Sequence, residues 1–141
     1  MNIRGQSTAG LDKKQYKLET WNEEDADEDV GLLGFPSDSD WILNNPHTDR
    51  TFMRNVLAYQ FSNDMGHYSS RTKFIEVFKN EDGGQIGGPA SSDYVGIYVL
   101  AEKIKRGKDR VDIEELLPTE NTAPEITGGY IIKHDKDRDE D

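Results

Sequence analysis

The stretch YVGIYVLAEKIK, Tyr94 to Lys105, constrains the fold more than any other part of the chain. Its β-branched and aromatic residues follow one another almost without a break, the composition of a strand that is largely buried. Gly96 interrupts them, and a glycine inside a strand marks a place of close backbone approach. A second strand is predicted in KKQYKLE. There Tyr16 and Leu18 fall on one face, and Gln15, Lys17 and Glu19 on the other. TGGYIIKHD predicts one more strand, and RVDIEELLP a short strand or turn entering a helical turn.

The helix prediction covers residues 48–65. Thr48 or Asp49 is placed to cap it, and Gly66 to end it in the left-handed conformation. Phe52, Met53, Val56, Leu57 and Phe61 recur at three- and four-residue spacing, which gives one apolar stripe. Arg54 and Asn55 lie off its centre. Between the strands, residues 20–30 are acidic and read as a loop, and EDGGQIGGPASSD reads as a turn or hairpin loop. In GLLGFPSDSDWILNNP the Trp41-Ile42-Leu43 run is expected to pack inward, with Pro46 closing it. No internal repeat is present. Strand, helix, then several strands is an α+β layout with a mostly antiparallel sheet.

Charge excludes some functions. The chain of 141 residues carries a net charge of −11, concentrated in ETWNEEDADEDVG and HDKDRDED. Binding nucleic acid through bulk electrostatics needs clustered Lys and Arg, so no nucleic-acid partner is expected. No run approaches the roughly 20 apolar residues of a membrane span. Cysteine is absent, which removes disulfides, thiolate zinc sites and thiol nucleophiles. Both ends read as cut, which predicts a piece of a longer protein.

Several possible sites weigh little. Asp38 and Asp40 in SDSDW have the spacing of a magnesium pair, but after Pro36 they read better as turn caps. Asp135, Asp137 and Asp139 resemble the start of a calcium loop, yet Glu140 stands where that loop needs glycine. His47, His67 and His134 are far apart and form no HExxH motif. Ser7, Ser69, Ser70, Ser91 and Ser92 have no nucleophile-elbow context, and GGQIGG lacks the Lys-Ser/Thr of a P-loop. One stretch stays open: RGQSTAGLDKKQYKLE runs from a small-residue loop into two lysines and then a strand. It is either a phosphate cradle or a hairpin with a solvated basic corner.

The blocks RGQST…KKQYKLE, LLGFPSDSDWIL, DRTFMRNVLAYQF, FIEVF, YVGIYVLAEKIK and ITGGYIIKHD occur in the order and rough spacing of the spore-coat CotH kinase family. The chain resembles that family over nearly its whole length. The resemblance implies an atypical, secreted or surface-associated protein kinase using ATP and magnesium, with a Ser/Thr protein substrate at a coat or cell surface. It implies a kinase-like small lobe in residues 1–141, an incomplete domain whose C-terminal lobe is missing. The opening stretch would then be the phosphate side. The backbone of Gly5 to Thr8, including Ser7 and Thr8, would approach phosphate, with Lys14 as the cation and Arg4 as a second. Lys14 is preferred to Lys17 because it shares the face of Tyr16 and Leu18. Glu102, after the strongest strand, is the candidate for adenine or ribose, or else pairs with Lys103 or Lys105. The long helix has no central acidic residue to orient a lysine, which departs from ordinary kinases. The magnesium-holding aspartates of the family have no match here, so no catalytic residue is assigned and the chain alone is expected to be inactive. The alternatives are a non-catalytic surface or spore-coat module and, more remotely, a carbohydrate-binding module using Trp21, Trp41 and the tyrosines.

Overall fold

The computed structural model describes residues 1–5 and 8–133. Ser7, His134, Asp135, Asp137 and Asp139 lie outside the described residues. The chain divides into two compact units, Met1–Lys103 and Ile104–Asp141.

The first unit is a five-stranded sheet of β1 (Asn2–Arg4), β2 (Gln15–Glu19), β3 (Asp40–Asn44), β4 (Thr72–Phe78) and β5 (Tyr94–Glu102). One helix, α1 (Arg54–Asp64), links β3 to β4. The strands lie in the order β1-β2-β3-β5-β4, and every neighbouring pair is antiparallel. This is the α+β, mostly antiparallel layout that the sequence predicts. The strongest predicted strand becomes β5, flanked on both sides.

Alternation along paired strands decides where the core lies. Tyr16 pairs with Leu43, Leu18 with Trp41, Leu43 with Leu100, and Ile75 with Tyr98, so all of these share one face. Trp41, Tyr98, Leu43 and Leu100 are buried there, and Phe35 stacks on Trp41 with ring centroids 5.9 Å apart. Each large apolar side chain so buried contributes about 1.5–3 kcal/mol. Phe35 reaches the sheet because Leu33 and Gly34 both adopt left-handed backbone (φ 53° and 82°), turning the chain back before Pro36. Asp38 caps this turn, as expected: its carboxylate accepts the Asp40 amide at 2.8 Å. Residues 20–30 form a largely exposed irregular loop, with one bridge between Trp21 and Asp27 and another from Val30 to Asp38.

Two helix expectations are corrected. α1 starts at Arg54, not at Thr48 or Asp49, because 48–53 fold into consecutive turns and Phe52 takes a left-handed φ of 60°. Gly66 does end the helix in left-handed backbone, with φ 81°. The apolar stripe does not form a buried seam: no residue of α1 is buried, and Leu57 and Phe61 are exposed.

The second unit is largely irregular. A parallel bridge joins Arg106 to Val111, Arg110 is buried, and a single 3-10 turn spans Glu125–Thr127. The strand expected in TGGYIIKHD is absent over 127–133, and Ile132 is exposed. β-branched composition does not make a strand without a neighbour to take its backbone groups.

Candidate functional site

β3 ends in Asn44-Asn45-Pro46, and proline, which cannot donate to a ladder, stops the strand there. The chain then turns through His47 N–H to Asn45 O (2.8 Å) and Asp49 N–H to Pro46 O (2.9 Å). The Asp49 carboxylate organises the rest. It accepts the Thr51 hydroxyl (2.7 Å), the Thr51 amide (3.1 Å) and the Arg54 amide (3.1 Å), the last being the first amide of α1. Arg54 Nε lies 3.6 Å from the same carboxylate. The Thr51 hydroxyl, then these amides and the Arg54 charge, hold the Asp49 carboxyl below its ordinary value.

Between this connection and the turn that follows β1 lies a polar cleft of about 300 Å³, lined by Thr8, Gln15, Asn45, His47, Asp49, Arg54 and Asn55 among others. Asn45 is 1% exposed. Its amide nitrogen donates to the Lys13 carbonyl at 2.8 Å, which fixes the orientation of the side chain and leaves Oδ1 as an acceptor. Asn45 Oδ1 and Thr8 Oγ1 are both shielded from solvent and have no hydrogen-bond partner among the described residues.

The adjacent lysines at the start of β2 separate in role. Lys13 Nζ donates to the Ile97 carbonyl at 2.5 Å and lies 4.4 Å from the Tyr98 ring centre. Burial pulls its ammonium below the usual lysine value. A side chain at Gly96 would put its first carbon 3.3 Å from this ammonium, so the close approach expected at Gly96 is to Lys13. Lys14 instead bends back, and its Nζ donates to the Ala9 carbonyl at 2.7 Å. The alternation that puts Lys14 on the inward face begins only at Gln15, the first residue of β2. Lysine 13 is the residue that the sequence reading missed, and only its aromatic neighbours from distant segments mark it.

Of the other residues singled out, Arg4 pairs across the β1–β2 ladder with Gln15, a cleft residue, and is exposed. Thr8 reaches the cleft directly. Glu102 does not: it pairs across β3 with Trp41, while Asn44 pairs with Val99, about 10 Å away along the strand. Glu102 is fully buried and accepts from Arg71, through Nε at 2.8 Å and through the backbone amide at 3.0 Å. Its ion pair is therefore with Arg71, while Lys103 pairs with Asp40 at 2.8 Å.

The donors fit the implied groups unequally. Arg4 is exposed, Lys14 Nζ rests on the Ala9 carbonyl, and the unsatisfied Thr8 and Asn45 oxygens suit a hydrogen-bonding ligand. Among the described residues no three His, Asp or Glu side chains come together as metal ligands. Among the same residues no helix is long and apolar enough to cross a membrane. Comparison with curated proteins and with solved structures finds no match. The family described as CotH kinase protein matches residues 1–141, the whole chain, and the chain belongs to that family.

Proposed function

We propose that the chain is the nucleotide-binding, small-lobe part of a CotH-type protein kinase whose complete form transfers phosphate from ATP to Ser or Thr of a coat or surface protein. The observation that carries this reading is the family match over the whole chain, together with the loop–lysine corner beside the polar cleft. Backbone amides between Gly5 and Thr8, with Lys14 and Arg4, supply the phosphate side. Charge on a transferring phosphoryl group requires such fixed donors and cations. Lys14 is free to turn from the Ala9 carbonyl toward an anion without uncovering the core, whereas Lys13 is committed to Ile97 and Tyr98. ATP supplies the transferable phosphoryl group, and the carboxylates that hold magnesium come from a second lobe. Titration of the protein with a non-hydrolysable ATP analogue is expected to give saturable binding that Lys14→Ala weakens at least tenfold. Binding unchanged by that substitution removes Lys14 from the site.

A second reading is a non-catalytic coat or surface module that keeps the fold. The burial of Glu102 against Arg71 favours it, since the carboxylate placed after the strongest strand serves the fold. Absence of any analogue binding, with the fold intact, supports this reading instead.

A further inference from the structure

The polar cleft at the end of β3 has the wrong chemistry for phosphate. Its wall carries the Asp49 carboxylate, which already neutralises the start of α1 through the Arg54 amide and lies beside the Arg54 side chain. The Arg54 guanidinium that lines the cleft is thus shared with an anion of the protein. The unmet groups are Asn45 Oδ1, which can only accept, and Thr8 Oγ1. A buried acceptor without a donor is costly, and a phosphate, nearly all acceptor, would leave Asn45 unsatisfied and face Asp49. We infer that this cleft binds an uncharged group with donating hydroxyls, the vicinal diol of a sugar such as ribose, between Thr8 and Asn45. One hydroxyl donates to Asn45 Oδ1, and its neighbour exchanges a hydrogen bond with Thr8.

Both protein atoms are closed off from solvent, so part of the wall must yield on binding. The turn at Thr8 is that part: it is held by the Leu11 amide to the Thr8 carbonyl (3.1 Å) and by Lys14 on Ala9. Asn45 stays fixed through Lys13. The diol comes from a nucleoside or from a free sugar, and phosphoryl transfer forms no part of the inference.

The test follows the side-chain amide of Asn45 by NMR in the isotope-labelled full chain during titration with adenosine, ribose and pyrophosphate. A saturating shift with adenosine alone assigns a nucleoside diol. An equal shift with ribose assigns a free sugar. In either case Thr8→Val, which keeps shape and removes the hydroxyl, weakens binding at least tenfold, and Asn45→Ala abolishes it. An Asn45 signal unmoved by both sugars overturns the inference, as does one moved by pyrophosphate alone or diol binding indifferent to Thr8→Val. Because Asn45→Ala also releases the Lys13 carbonyl, Thr8→Val is the deciding variant. Diol binding without affinity for an ATP analogue would leave the inference standing and the kinase reading fallen. Analogue binding that leaves Asn45 unmoved would do the reverse.

Discussion

The Tyr98 hydroxyl donates to the carbonyl of Lys14, 84 residues earlier, at 2.9 Å. With Asn45, just past the end of β3, on the neighbouring Lys13 carbonyl, it pins the two-lysine corner from two distant segments at once. Tyr98 is fully buried and the bond partly so, which limits the access of water to it. Tyr98→Phe is expected to cost about 1–3 kcal/mol, because a carbonyl loses its donor while the ring still packs. Chemical denaturation of the two proteins checks this, and equal midpoints would count against the pinning role.

The same burial pushes the Tyr98 phenol up to about 12. The unfolded phenol ionises near pH 10, so the neutral form is favoured by folding. Its contribution to stability is therefore complete below about pH 10 and is lost as pH rises from there to about 12. A tyrosinate absorbance titration, taken as the difference between the parent and Tyr98→Phe, should isolate one late-ionising phenol. Ionisation at the ordinary value would contradict it.

Arg71 and Glu102 behave as a unit. Glu102 is fully buried while the Arg71 side chain keeps 38% exposure. Arg71→Ala would take the counter-charge from a buried carboxylate while leaving its backbone amide donor, at a cost of about 3 kcal/mol, the lower end for a broken buried pair because Arg71 is partly solvated. The double variant Arg71→Met with Glu102→Leu should recover most of that loss. A double variant no more stable than Arg71→Ala would show that the pair itself, and not the stranded charge, carries the energy.

Gly96→Ala should destabilise by about 1–3 kcal/mol, since an L side chain is strained at φ 105° and its carbon crowds Lys13. Thermal melting measures this. Lys13→Met in the same background should relieve the crowding but not the backbone strain, so only part of the loss returns.

Asp49 supplies an acid-side dependence. Its carboxyl is held low by Thr51 and the amides at the start of α1, so the unfolded chain takes up the proton first. The stabilisation is present above the unfolded value near pH 4 and is lost as pH falls through the lower folded value. In Asp49→Asn that acid-side loss should shrink, and amide exchange at the first turn of α1 should quicken at neutral pH. An unchanged acid limb would dissociate Asp49 from helix initiation.

Much of the sheet was legible because alternation and β-branching report on local backbone. Tyr16 and Leu18 of β2, the Trp41-Ile42-Leu43 run and all of β5 follow from it. What failed was set by distant residues. The helix start moved because Asp49 acts across a turn that includes left-handed Phe52, a conformation its side chain does not announce. The stripe of Leu57 and Phe61 has helical spacing yet stays exposed, since spacing fixes a face but not what covers it. Lys13 became the inward lysine through Ile97 and Tyr98, and Glu102 found Arg71, 31 residues back, in place of its lysine neighbours. The cleft was half-legible: Thr8 stood in the small-residue loop, but Asn45 reads as an ordinary turn residue before proline.

The strand order also dictates a schedule for synthesis. β3 lies between β2 and β5, yet α1 and all of β4 are made before β5 appears. While the ribosome is still adding those residues, Trp41 and Leu43 wait on an open edge with half of their partners unmade. The closing ladder needs residues up to Glu102 to clear the exit tunnel. A pause in translation before that point leaves β3 without β5, so the edge that becomes the centre of the sheet has no ladder to close it.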